Sequence, residues 1–221
     1  MKDKMLEFER KLYKSGYELI AGVDEVGRGP LYGPVVVAAV ILPKNYYIEG
    51  LDDSKKLTPK KREKLYDIII KNALDVSISE VSAQEIDEIN ILNATKKAMY
   101  NAIKGLKTIP NHVLIDAVNL EDLTIPYTSI IKGDAKSASI AAASIVAKVY
   151  RDNMLIEEEK KYPGYGFDKH KGYGTKMHIE KIKELGVLEN HRKSFEPIKS
   201  MLNGSGEIEE RNKRKNKKNK S

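Results

Sequence analysis

AGVDEVGRGPLYGPVVVAAVILP, residues Ala21–Pro43, is the stretch of the chain that decides the fold. It holds the end of one apolar run, Tyr17–Val23, and the whole of another, Val35–Leu42, and both runs are rich in β-branched residues. The turn between them is punctuated by Gly and Pro, which is typical of two buried strands that pair with each other. Two acidic residues, Asp24 and Glu25, directly follow the first run, so we place them at the end of the first strand.

The rest of the chain alternates between strand and helix patterns. We predict further strands around 76–81, over 113–115 and over 127–131. Helices are predicted over 2–14, from 58 to about 73, over 92–105, from about 137 to 161, over 176–185 and near 195–202, with a loop over 163–174. The long helix starts with IAAASIVAKV, whose small apolar residues suit close backbone packing. This order predicts an α/β core with a mixed sheet and a smaller C-terminal helical segment.

The composition excludes several kinds of site. The chain has no cysteine, so disulfides, thiolate metal sites and a thiol nucleophile are excluded, and a metal must be held by oxygen atoms or by the four histidines. No apolar run approaches the roughly 20 residues that span a bilayer, and the first residues do not form a secretory signal, so we expect a cytoplasmic protein without a membrane partner. The net charge is +7, and a basic excess suits a polyanionic partner but does not require one.

Four acidic residues lie at the ends of predicted elements. Asp24 and Glu25 close one strand, Asp116 closes another, and Asp134 precedes the long helix. Ligand sites form at strand ends in α/β sheets, and clustered carboxylates repel one another unless a hard cation such as Mg²⁺ or Mn²⁺ lies between them. Two such ions about 4 Å apart suit the in-line attack of water on a phosphodiester. These acids also fit the role of turn residues or helix caps, and the residues alone leave both interpretations open.

One geometric objection to a shared metal site concerns the adjacent pair. Neighbouring residues on a regular strand point to opposite faces of the sheet, so Asp24 and Glu25 cannot both face one ion there. Gly27 follows closely and could remove this constraint by ending the strand.

Six motifs lie in order along the chain, from about residue 17 to 200. They are the opening stretch, LDDSKKL (Leu51–Leu57), IDAVNL (Ile115–Leu120), KGDAKSASIAAASIVAKVYRD (Lys132–Asp152), YGFDKHKGYGTKMH (Tyr165–His178) and HRKSF (His191–Phe195). Together they resemble the ribonuclease HII family. The resemblance implies a ribonuclease H fold with a mixed five-stranded sheet and a C-terminal segment that closes on the substrate. It also implies an endonuclease that cuts the RNA strand of RNA–DNA hybrids and cuts 5′ of ribonucleotides embedded in duplex DNA, serving ribonucleotide excision and primer removal.

The resemblance also implies which residues act. Asp24, Glu25, Asp116 and Asp134 would bind Mn²⁺ or Mg²⁺ and carry the catalysis. Asp152 is the rival of Asp134, although its place deep in a helix favours a structural role.

Substrate recognition is implied for a second set of residues. Gly27, Arg28 and Gly29, together with Tyr173, would sense the 2′-hydroxyl at an RNA-to-DNA junction, because glycines let the backbone approach a sugar closely. The alternative for Tyr173 is a half-buried loop tyrosine. Polar and basic residues are expected to contact phosphates, although a solvated lysine face is the alternative for some of them. This set comprises Ser54, Lys55, Lys56, Lys136, Lys148 and His170.

The resemblance sets the expected organisation. We expect a catalytic domain over 1–203, with a core over about 17–162 and the helical segment over about 163–203, followed by a disordered basic tail over 204–221, in a monomer. A sister type of ribonuclease H carries an extra N-terminal domain and lysine between the motif glycines, whereas position 28 here is Arg and only 23 residues precede Asp24. A silent duplex-binding module on the same fold is the other alternative, and concentrated acidic charge facing phosphates argues against it.

Overall fold

One mixed five-stranded sheet organises the chain, which the computed structural model describes over residues 2–51 and 57–203. The strands are β1 (Ile20–Val26), β2 (Val35–Ile41), β3 (Asp75–Val81), β4 (His112–Asp116) and β5 (Tyr127–Ile130). Their order across the sheet is β3-β2-β1-β4-β5. The three strands β1, β2 and β3 pair antiparallel, whereas β4 pairs parallel with both β1 and β5. The predicted fold class is therefore confirmed.

Helices pack on both faces of this sheet. They are α1 (Lys2–Met5), α2 (Glu7–Lys14), α3 (Pro59–Asn72), α4 (Ala83–Lys104), α5 (Ala138–Lys161), α6 (Phe167–His170), α7 (Lys176–Leu185) and α8 (198–203), with a 3-10 turn over Gly133–Ala135. A side-chain hydroxyl caps the start of four of them, namely Thr58, Ser82, Ser137 and Thr175. No helix in the described ranges has both the length and the apolar character needed to cross a membrane.

The boundaries of several elements differ from the prediction. Strand β1 runs from Ile20 to Val26 rather than over the predicted 17–23, so Asp24 and Glu25, which were predicted at the end of the strand, lie among its last three residues. Helix α4 is broken at Asn90, so the helix predicted over 92–105 corresponds to its second part, and the first part, from Ala83, was not predicted. The predicted N-terminal helix is broken at Leu6. Helix α6 lies within the stretch that was predicted as a loop. The predicted phosphate contacts at 54–56 and the predicted tail over 204–221 lie outside the described residues.

Helix α5 lies directly on β1, and this contact positions the site. Gly22 makes it feasible, because a Cβ atom at this position would lie 2.0 Å from the carbonyl carbon of Ser139. The small residues Ala141, Ala142 and Ala143 are fully buried in the same layer, as their size predicted. Helix α3 packs beside α5, while α4 covers the opposite face of the sheet.

Helix α2 fixes the start of α5 through a buried carboxylate. Glu9 is only 1% exposed, and its Oε1 accepts hydrogen bonds from the hydroxyl of Ser137 at 2.6 Å and from the backbone N–H of Ser139 at 3.0 Å. The N-terminal helix is therefore part of the structure that holds α5 against the sheet.

Candidate active site

Asp24 and Asp116 lie side by side on neighbouring parallel strands. The last paired residues of β1 and β4 are Val23 and Ile115, and each aspartate is the next residue of its strand. Residues at the same level of adjacent parallel strands point to the same face of a sheet. For Asp24 this is the face covered by α5, where the hydroxyl of Ser144 hydrogen-bonds its carboxylate. The topology thus brings two of the predicted acids together.

Burial and neighbouring acids raise the pKa of Asp24 and of Glu25. Asp24 is only 5% exposed, and burial raises its pKa well above the usual range, with further increases from the charges of Glu25 and Asp116. Burial also raises the pKa of Glu25, where the Arg28 guanidinium opposes and the charge of Asp116 adds to the increase. Crowded carboxylates with raised pKa values are typical of sites that bind cations.

Glu25 has one carboxylate oxygen without a partner. Its Oε1 lies 3.5 Å from Nη1 of Arg28, while Oε2 is buried and accepts no hydrogen bond from the described residues. A buried oxygen of this kind is costly unless something else satisfies it. The strand stays paired through Val26, and Gly27 ends it only after both acids. The charge of Asp116 nevertheless raises the pKa of both Asp24 and Glu25, so the three carboxylates are close enough to interact. Glu25 is thus a carboxylate available to a ligand.

The fourth predicted acid follows a residue that contacts Asp116. The backbone N–H of Gly133 donates to Oδ1 of Asp116 at 2.6 Å, and Asp134 is the next residue, 7% exposed, in the 3-10 turn before α5. In the described part of the chain, no group of three or more histidine or acidic side chains is arranged to hold a metal ion together. The oxygen donors therefore fit a hard cation by their chemistry and charge, but side-chain rotation is needed for them to converge on it.

Asp152 has a different environment from the other acids. Its carboxylate oxygens lie 2.6 Å from Nζ of Lys148 and 3.3 Å from Nη1 of Arg62. Burial lowers the pKa of Lys148, although Asp152 opposes this change. Two cations thus balance the charge of Asp152, which fits the structural role expected for it. The ion pair with Asp152 also holds Lys148 inside the fold, so a phosphate would have to compete with Asp152 for the Lys148 ammonium group.

The structure brings the predicted recognition residues together. Arg28 and Gly29 are exposed, and Tyr173 is 44% exposed. A Cβ atom on Gly29 would lie 3.5 Å from Cε1 of Tyr173, so the tyrosine ring lies against the loop at the end of β1. Lys136 is exposed just after Asp134, as a phosphate contact requires.

His170 does not fit its predicted phosphate contact. The side chain is buried, its Nε2 lies 2.8 Å from the carbonyl oxygen of Tyr165, and its Nδ1 accepts a hydrogen bond from the backbone N–H of Gly172 at 3.1 Å. Burial lowers its pKa, which favours the neutral ring. Both ring nitrogens are engaged by the loop that carries Tyr173, so the imidazole stabilises this loop.

Residues 21–198 match the family model described as ribonuclease HII. The chain belongs to the ribonuclease HII family. It is similar to ribonuclease HII of Acetivibrio thermocellus, with 59% identity over 192 residues that cover 87% of this chain and 75% of that protein. The predicted family is thus confirmed, and the protein is an endoribonuclease of the ribonuclease H type.

Solved structures agree with this assignment to the ribonuclease HII family. The ribonuclease H2 of Pyrococcus horikoshii is 28% identical with a TM-score of 0.71, and the match covers 82% of this chain and 96% of that one. The structure of Bst-RNase HIII in complex with Mn²⁺ is 18% identical with a TM-score of 0.67, covering 83% of this chain and 69% of that one, and shows the shared fold alone. The mixed sheet described above is therefore the ribonuclease H fold.

Two buried arginines of this ribonuclease HII family member were missed by reasoning from the sequence. Arg151 is fully buried and donates to the carbonyl oxygens of Tyr32 at 2.9 Å, Lys171 at 3.0 Å and Pro34 at 3.2 Å. Arg192, also fully buried, donates to carbonyl oxygens of the loop that follows β1. The only signal in the sequence that could have pointed to these arginines was their place in two of the six motifs. Both join the C-terminal segment to the loop after β1.

Proposed function

We propose that this protein cuts the RNA strand of RNA–DNA hybrids and cuts duplex DNA on the 5′ side of an embedded ribonucleotide. The observation that carries the proposal is the crowding of Asp24, Glu25 and Asp116 beside the exposed loop of Arg28 and Gly29. A silent duplex-binding module gains nothing from concentrated negative charge beside a phosphate backbone. Such charge is useful where a cation mediates between the protein and the phosphate. We propose ribonucleotide excision and primer removal as the roles of this activity.

The acids would hold Mn²⁺ or Mg²⁺, and we propose Asp24, Glu25, Asp116 and Asp134 as the ligands. Two such ions, when bound, would supply an activated water and neutralise charge at the leaving 3′ oxygen. The hydroxyl of Ser144 holds the carboxylate of Asp24, and the N–H of a neighbouring glycine holds that of Asp116. These hydrogen bonds orient two of the proposed ligands, and side-chain rotation would complete the site when a cation binds.

Substrate recognition would use the surface next to these acids. We propose that the Gly27–Gly29 loop and Tyr173 select the sugar with a 2′-hydroxyl, since that group alone distinguishes RNA from DNA at a junction. Lys136 would contact a phosphate nearby. The contacts predicted for residues 54–56 remain part of this proposal.

The first experiment uses a DNA duplex with one ribonucleotide, assayed with Mg²⁺, with Mn²⁺ and with EDTA. We expect cleavage 5′ of the ribonucleotide with either metal and none with EDTA. The ends should be a 3′-hydroxyl, which a DNA polymerase can extend, and a 5′-phosphate. A 2′,3′-cyclic phosphate would contradict the proposed chemistry. Binding without cleavage under every metal condition would support the silent module instead.

A matched pair of variants tests the acidic cluster. Asp116→Asn should abolish cleavage while duplex affinity stays within about threefold, because affinity depends on phosphate and sugar contacts. Asp122→Asn is the control, since Asp122 is an exposed acid in the loop between β4 and β5 and undergoes the same chemical change. It should cleave like the unsubstituted protein. Full activity in Asp116→Asn would remove Asp116 from the mechanism.

A further inference from the structure

Arg192 binds the loop that follows β1 through hydrogen bonds to its backbone carbonyls. Its guanidinium donates to the carbonyl oxygen of Gly27 at 2.5 Å, to that of Arg28 at 2.9 Å, and to that of Gly33 through Nε at 3.0 Å and Nη2 at 2.9 Å. The side chain is fully buried, with its guanidinium 5.0 Å from the ring centroid of Phe195. Burying a cation is costly unless its donors are satisfied, and here they are satisfied by the backbone of one loop.

The direction of these carbonyls fixes the direction of two amides. The peptide bonds after Gly27 and Arg28 are trans, and in a trans peptide the C=O and the following N–H point in opposite directions. Because both carbonyls point at Arg192, the N–H groups of Arg28 and Gly29 point away from it. Neither N–H donates to any of the described residues, and both residues are exposed. The loop thus presents two free donors on the side away from Arg192.

Gly29 lies next to the ring of Tyr173, since a Cβ atom on it would lie 3.5 Å from Cε1 of the ring. The carbonyl oxygen of Gly172 accepts a hydrogen bond from the N–H of Leu31 at 2.8 Å, so the segment that carries the tyrosine is joined to the same loop. The N–H of Arg192 donates to the carbonyl oxygen of Leu31 at 2.9 Å, which adds a backbone connection to the side-chain contacts. Hydrogen bonds therefore connect Arg192, the loop that carries the two N–H donors, and the segment that carries the ring of Tyr173.

We propose that Arg192 is a positioning residue for ribonucleotide recognition. By holding the carbonyls of Gly27 and Arg28, it directs the amides of Arg28 and Gly29 toward the substrate, where they donate to oxygen atoms of the sugar and phosphate at the RNA-to-DNA junction. This inference rests on the proposed function, and it adds a specific task for a buried residue that does not touch the substrate. Lysine cannot replace it, since one ammonium lacks the planar fork that reaches three carbonyls at once.

The first test observes the two amides in the unsubstituted protein. The ¹⁵N-labelled chain is titrated in EDTA with a short DNA duplex containing one ribonucleotide, and separately with the all-DNA duplex of the same sequence. The amide signals of Arg28 and Gly29 should shift with the first duplex and much less with the second. Equal responses to both duplexes, or none, would overturn the proposal without any variant.

The second test uses Arg192→Lys and Arg192→Met. Each should lower kcat on the single-ribonucleotide duplex at least tenfold while affinity for the all-DNA duplex changes less than threefold, because phosphate contacts dominate that affinity. In EDTA, the preference for the ribonucleotide-containing duplex over the all-DNA duplex should fall at least fivefold. Met99→Ala is the control for lost stability, since Met99 is fully buried in the layer on the opposite face of the sheet. It should lower the melting temperature but keep the preference.

The outcomes separate the two proposals. A folded Arg192→Lys with unchanged kcat and unchanged preference would overturn the role of Arg192 and leave the proposed function intact. If both variants unfold, the titration of the unsubstituted protein decides. An unsubstituted protein that cleaves no ribonucleotide-containing substrate with any metal would instead contradict the proposed function itself.

Discussion

A buried histidine pair in the C-terminal segment predicts that the protein loses stability as the pH falls from 6.5 to 4. His178 and His191 are fully buried, and their Nε2 atoms lie 3.2 Å apart. The other ring nitrogens are engaged by the backbone, since Nδ1 of His178 lies 2.9 Å from the carbonyl oxygen of Tyr173 and Nδ1 of His191 accepts from the N–H of Leu188 at 2.8 Å. Two protonated rings cannot share this arrangement.

The magnitude follows from the pKa values. Burial lowers the pKa of each histidine from 6.5 to about 4, and the decrease is increased by the charge of His170 at His178 and by that of His178 at His191. The unfolded chain therefore binds more protons between these values, so the stability from the neutral rings is complete above pH 6.5 and is lost as the pH falls toward 4. At roughly 1.4 kcal/mol per pKa unit, each histidine contributes at most about 3 kcal/mol. Such a loss is large against a total stability of about 5–15 kcal/mol.

Urea unfolding followed by circular dichroism measures this loss. The unsubstituted protein and the double variant His178→Gln/His191→Gln are compared at several values between pH 8 and 4. The carboxylates contribute equally to both proteins, so the difference between the two pH slopes isolates the histidine pair. We expect the double variant to lose several kcal/mol less on acidification, on the order of the linkage estimate. Identical slopes would refute the reasoning.

Two further predictions concern the layer between β1 and α5. Asp24→Asn should raise the free energy of unfolding in EDTA by about 1–3 kcal/mol, because burial and the charges of two neighbouring acids disfavour the ionised form of Asp24. The same change should abolish cleavage. Thermal unfolding and an activity assay check these two effects, and a variant less stable than the unsubstituted protein would contradict the repulsion between the acids. Gly22→Ala should lower the free energy of unfolding by about 1–3 kcal/mol, since the added Cβ would lie 2.0 Å from the backbone of Ser139. Chemical unfolding measures this change. Unchanged stability would contradict the prediction and show that α5 can shift to make room for the methyl group.

The sequence predicted the proximity of the acids better than the bounds of the strands that carry them. The predicted strand covered only the apolar run Tyr17–Val23, with Asp24 and Glu25 at its end, because apolar residues defined the pattern. The two acids lie inside β1 because β2 continues opposite them, with Ala38 facing Asp24 and Val37 facing Glu25. Pairing between strands, which a single strand's pattern does not contain, therefore decided the boundary.

Helix α4 shows a second limit of predicting element boundaries from the sequence. The part before Asn90 was missed because polar residues dominate its turns. Asn90 is non-helical, with φ 66° and ψ 163°, and its side-chain oxygen accepts from the N–H groups of Leu92 and Asn93, so the predicted start near residue 92 is the start of the second part. The signal was nevertheless present, since Ser82 followed by Glu85 matches a capping pattern, and the N–H of Glu85 donates to the Ser82 hydroxyl at 3.2 Å. The local cap was more informative here than apolar periodicity.

The buried arginines were beyond sequence reasoning for a different reason. Arginine is almost never fully buried, so nothing in the sequence marked Arg151 or Arg192 as buried residues. Their partners are backbone carbonyls of a distant loop, and a carbonyl is present at every residue, so no residue type marks it as a partner. The loop after β1 could be singled out from its motif, whereas the side chains that hold it could not.

The contact between Arg192 and Gly27 joins residues that are 165 positions apart in the chain. During translation the acidic strand leaves the ribosome long before the arginine does, so the loop after that strand lacks its hydrogen bonds to Arg192 until residue 192 has been made. The loop that we propose for ribonucleotide recognition therefore takes its final form well after the acids of β1 have been synthesised.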